Sequence, residues 1–183
     1  MSGTLFAAAA LALHGVTGGA TLSKEMTIRY ASAYLGKVVT VRTDSGITRT
    51  FAGKMVFQNE TTSWCSVCAN IHRHISEGST AQWRLHSTKE VGGNIRRAGN
   101  IVARYFNEAK SAEQCAGLQL AVWEALEDGG DTPDFLNGHF AASADAMTMA
   151  FAAKYYEAVN TAAEAVFFEP AHEPIQAQLS TRF

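Results

Sequence analysis

Ser111-Ala-Glu-Gln-Cys115-Ala-Gly-Leu-Gln119-Leu-Ala-Val-Trp123-Glu-Ala-Leu-Glu-Asp128, closed by Gly129-Gly130, is the stretch whose reading decides the fold. Ser111 is a natural N-cap, and the paired glycines stop the helix. On a wheel of about 100° per residue, Leu118, Val122, Cys115, Leu126, Trp123 and Ala116 fill one continuous arc. Glu113, Gly117, Glu124 and Asp128 fill the other side. Gln119 falls inside the apolar arc, between Leu126 and Trp123. A buried primary amide needs hydrogen-bond partners or costs roughly 1–3 kcal/mol. Gln119 is therefore either a satisfied core glutamine that ties down a loop or a group with chemistry to do.

Working outward, Ile95, Ala98, Gly99, Val102, Tyr105, Phe106 and Ala109 repeat with helical spacing and predict a helix before this one. Arg96, Arg97 and Arg104 lie on or near its wet side. A further helix is expected over Ala141 to Thr161, with Ala142, Ala146, Met149, Ala153 and Tyr156 on its core face. Upstream, Lys37-Val-Val-Thr-Val-Arg-Thr43 is rich in β-branched residues, Asp44-Ser45-Gly46 supplies turn chemistry, and Ile47 to Phe57 reads as the returning strand. Gly53 marks a bulge or bend in it. Trp83 and Leu85 suggest a short strand within a long connection, and Val166-Phe167-Phe168 a closing strand. The expected class is α+β: an N-terminal β-rich part packed on three helices, forming one domain over residues 24–176 with a polar tail at 177–183.

Composition narrows the function. The chain has 183 residues, 47% hydrophobic and 17% charged, enough for one domain with a real core. Lys+Arg 15 against Asp+Glu 17 leaves no basic surplus for a nucleic-acid groove. No charged side chain precedes Lys24, and Leu5 to Leu13 is an apolar run followed by small residues. Gly18 and Ala20 suit signal-peptidase cleavage after Ala20, although a positively charged start is absent. Residues 1–20 are expected to be a leader, and the protein secreted or on the cell surface. The apolar run is shorter than the ~20 residues a membrane-spanning helix needs, and no other stretch offers a span.

A cysteine thiolate brought against a glutamine side chain can displace ammonia and leave an internal thioester. Fixed approach inside a fold supplies effective molarities of roughly 10⁵ M and above, and a dry aromatic surround slows hydrolysis. Leu118-Gln119-Leu120-Ala121-Val122-Trp123-Glu124 resembles the Gln-x-Ala-(Ile/Val)-Trp motif of thioester domains in bacterial surface adhesins. It is closer still to exported Gram-negative relatives, often PEP-CTERM-anchored, in which the motif follows a Tyr-containing helix. Ala98 to Phe106 fits that helix, and Asp128-Gly129-Gly130 the following turn. Cys68-Ala69-Asn70, with Ile75 and Gly78 beyond, fits the frame of the family's cysteine segment better than Cys65 does. Asn70 stands where the family usually has Asp, Leu118 replaces the Thr of Gram-positive adhesins, and no sorting tail is visible before Phe183.

The resemblance implies a Cys68–Gln119 thioester, with Trp123 and Trp64 limiting water access and Asn70 supporting the site. It implies covalent attachment, once per molecule, to an amine- or hydroxyl-bearing surface or matrix partner, without cofactor or enzymatic turnover. Under that reading Cys65 and Cys115 become neighbours, and a disulfide between them is expected. Three other readings stay open. One is a structural surface protein of the same fold with no live thioester. Another is zinc held by Cys65, Cys68, His72 and His74, although four ligands in one short run strain a tetrahedron. The last is a cysteine hydrolase with Cys68 as nucleophile, His72, His74, His86 or His139 as base and Gln119 as oxyanion donor.

Overall fold

A long hairpin organises the molecule. In the computed structural model, which describes residues 25–172 and 174–181, strand β1 (Glu25–Thr43) turns at Asp44-Ser45 into β2 (Gly46–Gln58). The two run antiparallel from Arg29↔Gln58 to Thr43↔Gly46. Gly36 and Gly53 face each other in this ladder, and their backbones approach so closely that a Cβ on either would strike the other strand. Gly53 also holds φ +152°, at the edge of what a side chain tolerates. The irregular steps of the ladder fall on β1, between Tyr30 and Ser32 and between Ala33 and Leu35.

Strands β3 (Ser63–Cys68), β4 (Thr80–Ser87), β5 (Ala141–Ser143), β6 (Val166–Pro170) and β7 (Gln178–Ser180) complete an antiparallel sheet ordered β2-β3-β7-β6-β4-β1-β5. Because β1 also pairs with β2, the first six strands of that order close on themselves. Closure needs β7. It bridges β3 and β6 through Val67↔Leu179 and Phe167↔Leu179, and Gln178, Leu179 and Ser180 are all buried. The expected polar tail thus contains a structural strand, placed by its partners on both sides and invisible as a three-residue pattern.

The helices are α1 (Thr88–Val91), α2 (Gly93–Tyr105), α3 (Ala112–Glu127) and α4 (Ala146–Tyr156). Ser111 caps α3 as expected, in a capping box with Gln114. The last helix is shorter than its periodicity suggested. Ala141–Ser143 pairs with Thr40–Arg42 as β5, and Asp145 caps α4, accepting from the Thr148 amide at 3.1 Å. Lys37 binds both Asp145, at 2.9 Å, and Glu113, at 2.8 Å, linking the hairpin to α3 and α4.

Helix α3 is buried on nearly every side from Cys115 to Ala125. Two hydrophobic clusters meet along it. Ala116, Leu120 and Trp123 join the sheet-enclosed cluster with Phe57, Trp83, Phe140 and Phe168. Cys115, Leu118, Ala121, Val122 and Ala125 join the inter-helix cluster with Ile101, Val102, Tyr155 and Tyr156. The polar arc read from the wheel is therefore only partly wet: Gly117 faces Thr148–Ala152 of α4, and Glu124 is buried. The expected leader at 1–20 lies outside the described residues.

Candidate functional site

Cys68 ends β3, and the chain after it runs alongside α3. Residues at i, i+4 and i+8 of a helix form one slowly drifting row, and Gln119, Trp123 and Glu127 occupy such a row. Each meets the 68–72 segment in turn. The Gln119 carboxamide is bonded at both ends to Cys68: its Oε1 accepts from the Cys68 amide at 2.8 Å, and its Nε2 donates to the Cys68 carbonyl at 2.8 Å. The Trp123 indole lies beside the Cys68 sulfur. Glu127 Oε2 meets His72 Nε2 at 2.9 Å.

This site is dry. Cys68, Gln119 and Trp123 are each only 1% exposed. Burial pushes the Cys68 thiol up to about 11, with the Asn70 backbone and the Trp123 indole partly opposing the shift and the Glu127 charge adding to it. The thiol is therefore protonated at neutral pH. It donates to the Asn70 carbonyl at 3.1 Å, and the Asn70 amide approaches the sulfur at 3.3 Å. The Asn70 side chain is used locally, accepting from the His72 amide at 2.9 Å. Cys68 and Gln119 are thus brought together, with Trp123 and Asn70 against them.

Trp64 packs against the same sheet-enclosed cluster as Cys68 and Trp123. It stacks on Phe168 at 5.8 Å. A cavity of about 140 Å³ adjoins Cys68, and its walls include Tyr30, Phe51, Met55, His74 and Gln176. None of these was singled out from the sequence for this role except His74, because the hairpin and the chain before β7 reach the site only through the closed sheet. Glu127 was also missed. Its signal was present, eight positions beyond Gln119 on the same helix.

The expected Cys65–Cys115 disulfide is absent: all three cysteines are free thiols. Both sulfurs belong to the inter-helix cluster, but each finds other company. Cys115 donates to the Ala109 carbonyl at 3.4 Å. Lys54, inside β2, sends its ammonium to the carbonyls of Phe106 and Ala109, both at 2.7 Å, and acts electrostatically on both thiols. Burial lowers the Lys54 pKa and raises those of Cys65 and Cys115. A lone lysine in the apolar run Phe51–Phe57 was the available signal for this cluster.

Nor is the zinc set assembled: among the described residues, no three His, Cys, Asp or Glu side chains converge to hold a metal. Cys65 and Cys68 are three apart on an extended strand and point to opposite faces, one into each cluster. Ile71–Ile75 is turn and coil, without the strand alternation that would align His72 and His74. For the hydrolase reading, His86 is engaged by Glu169 at 3.1 Å and His139 by Asp44 at 3.0 Å. The Gln119 amide that would donate to an oxyanion is already committed to the Cys68 carbonyl.

No family model matches the chain, and neither a curated protein nor a solved structure shows significant similarity to it.

Proposed function

We propose that this chain is a thioester-type covalent attachment domain of a secreted or surface-displayed protein, related to the bacterial Cys–Gln thioester domains that its Gln119–Trp123 motif resembles. The observation that carries this reading is the double hydrogen bond between the Gln119 carboxamide and the Cys68 peptide in a water-excluded setting. Those two bonds hold the glutamine side chain against the backbone of the residue that bears the thiol, which supports the proximity that bond formation requires. Attack of the Cys68 sulfur on the Gln119 side-chain carbon would expel ammonia and leave the thioester. An acceptor amine or hydroxyl would then take the acyl group, and Cys68 would leave as the thiol. The protein is consumed in that single event, so it attaches and does not turn over.

The same two bonds also favour a second reading: a structural surface protein in which Gln119 is a satisfied core amide and Cys68 a buried thiol. Intact mass of fresh protein, purified without amines, separates the two. The thioester form is lighter by one ammonia, gains the mass of methylamine when treated with it, and shows no deficit in Cys68→Ala or Gln119→Ala. A full calculated mass for the untreated wild type would reject the thioester and leave the structural reading.

A further inference from the structure

The tip of the β1–β2 hairpin and the chain following Cys68 enclose a groove. Its inner part is the cavity of about 140 Å³ adjoining Cys68, with Tyr30, Met55 and Gln176 among its walls. Its outer part, about 200 Å³, is bounded by Thr43, Ser45, Thr48, Thr50 and His72. Thr50 and His74 line both parts, so the two adjoin at His74.

Two properties of the groove bear on what enters it. Among the described residues, no aspartate or glutamate lines either part. Of the nearby carboxylates, Asp44 is held by His139 and Glu127 by His72, while Glu77 acts on Tyr30 through its charge. A lysine-type ammonium would have to shed water there with no carboxylate among the described lining residues to receive it, which costs more than seating a neutral hydroxyl. The hydroxyls of Thr43, Ser45, Thr48 and Thr50 can donate to and accept from the hydroxyls of a polyol. His74 differs from the histidines that carboxylates hold. It is exposed, and among the described residues its ring has no hydrogen-bond or ion-pair partner, so both nitrogens are available.

Building on the thioester reading above, we propose that this groove admits a hydroxyl-bearing acceptor of the polyol or carbohydrate class and that His74 is the general base for its transfer. The acceptor oxygen attacks the Gln119 acyl carbon while its proton passes to the His74 imidazole. The carbon–sulfur bond then breaks, Cys68 leaves as thiolate, and the imidazolium returns the proton to it. The products are an ester on the Gln119 side chain and a free Cys68 thiol, with no other reactant consumed. A thiol held as high as that of Cys68 takes this proton back readily.

The test uses the full chain with glycerol and methylamine as probes, read by intact mass over time. The wild type is expected to lose its ammonia deficit in glycerol and gain one glycerol. In His74→Gln the deficit is expected to persist, glycerol addition to slow about 100-fold or more, and methylamine, which attacks as its own free base, to react nearly as before. His74→Ala should show the same loss, partly restored by free imidazole, and His86→Gln, at a histidine that lines neither part of the groove, should leave glycerol addition nearly unchanged. A deficit that persists without glycerol addition, or glycerol addition at the wild-type rate in His74→Gln, overturns the inference and leaves the thioester standing. Loss of the deficit in both His74 variants places His74 in forming the bond and also overturns it. A wild type with no deficit rejects the thioester reading and this inference with it.

Discussion

Lys54 and Cys115 direct their side chains to the same acceptor, the carbonyl oxygen of Ala109, at 2.7 Å and 3.4 Å. The lysine comes from the hairpin and the cysteine from the start of α3, so one carbonyl in the α2–α3 connection joins sheet to helices. The Lys54 ammonium also takes the Phe106 carbonyl and lies 4.4 Å from the centroid of the Phe106 ring. No carboxylate accompanies it in these contacts. The charge is held by backbone dipoles and an aromatic face.

Replacing Lys54 with Met should therefore destabilise the fold. The methionine fills much of the volume but leaves the Phe106 carbonyl without its donor, at a cost of about 1–3 kcal/mol. Urea denaturation checks this, with a lower midpoint expected at an unchanged slope. An equal or higher midpoint would mean that relief of the buried charge outweighs the lost bonds.

The absence of a disulfide has its own readout. Cys65 is half-buried and Cys115 fully buried. In native protein prepared under oxidising conditions, Cys65 should be alkylated first and Cys115 only after denaturation. Peptide mapping without reductant should recover both peptides alkylated and unlinked. A linked pair would contradict the structure.

Gln119→Ala should destabilise the protein whether or not the thioester forms. It deprives the Cys68 amide and carbonyl of their partners in a site that excludes water, at a cost of roughly 1–3 kcal/mol. Calorimetric melting against the wild type measures it, with the comparison made on methylamine-treated protein so that no covalent link contributes. An unchanged melting temperature would imply that water or a shifted backbone replaces both bonds.

Glu124 supplies a pH dependence. Its Oε1 accepts from the Asp134 amide at 2.8 Å, while Oε2 is buried without a partner. Burial, with Asp128 and Asp134 nearby, pushes its carboxyl up to about 7 despite that hydrogen bond. A folded-state pKa above the unfolded value means that the native protein binds the extra proton. The contribution to stability is thus complete below the unfolded value of 4.5 and is lost as pH rises through about 7. Glu124→Gln cannot ionise and should gain on the wild type, by roughly 1–3 kcal/mol, between about pH 5 and about pH 8. Parallel urea titrations at the two pH values test this. A pH-independent difference would assign the wild-type slope to other groups.

Much of the site was legible along the chain because it rests on one helix. Gln119 inside an apolar arc is a one-dimensional fact, and the capping box and the terminal glycines mark the helix without tertiary help. Cys68 could be preferred to Cys65 only through a resemblance, and its alignment with Gln119 required the β3–α3 contact. Glu124 was misread for a physical reason. A wheel assumes one wet face, whereas α3 has the sheet on one side and α2 and α4 on the other, so a polar residue becomes buried wherever the second layer covers it. The disulfide expectation failed in a similar way, since two cysteines assigned to one region can each be satisfied by a backbone carbonyl or a lysine.

By itself the sequence determined the hairpin, the Ser111-capped helix and the anomalous glutamine, because turn chemistry, capping and periodicity act over a few residues. Only the tertiary structure decided that residues 178–180 complete the sheet, that Gln119 is spent on the Cys68 peptide, and that His74 rather than Trp64 borders the cavity there. Those outcomes depend on closing the sheet between segments more than a hundred residues apart, such as Val67 with Leu179. Pairing energy over that distance is set by what both partners bury, and no local pattern carries it.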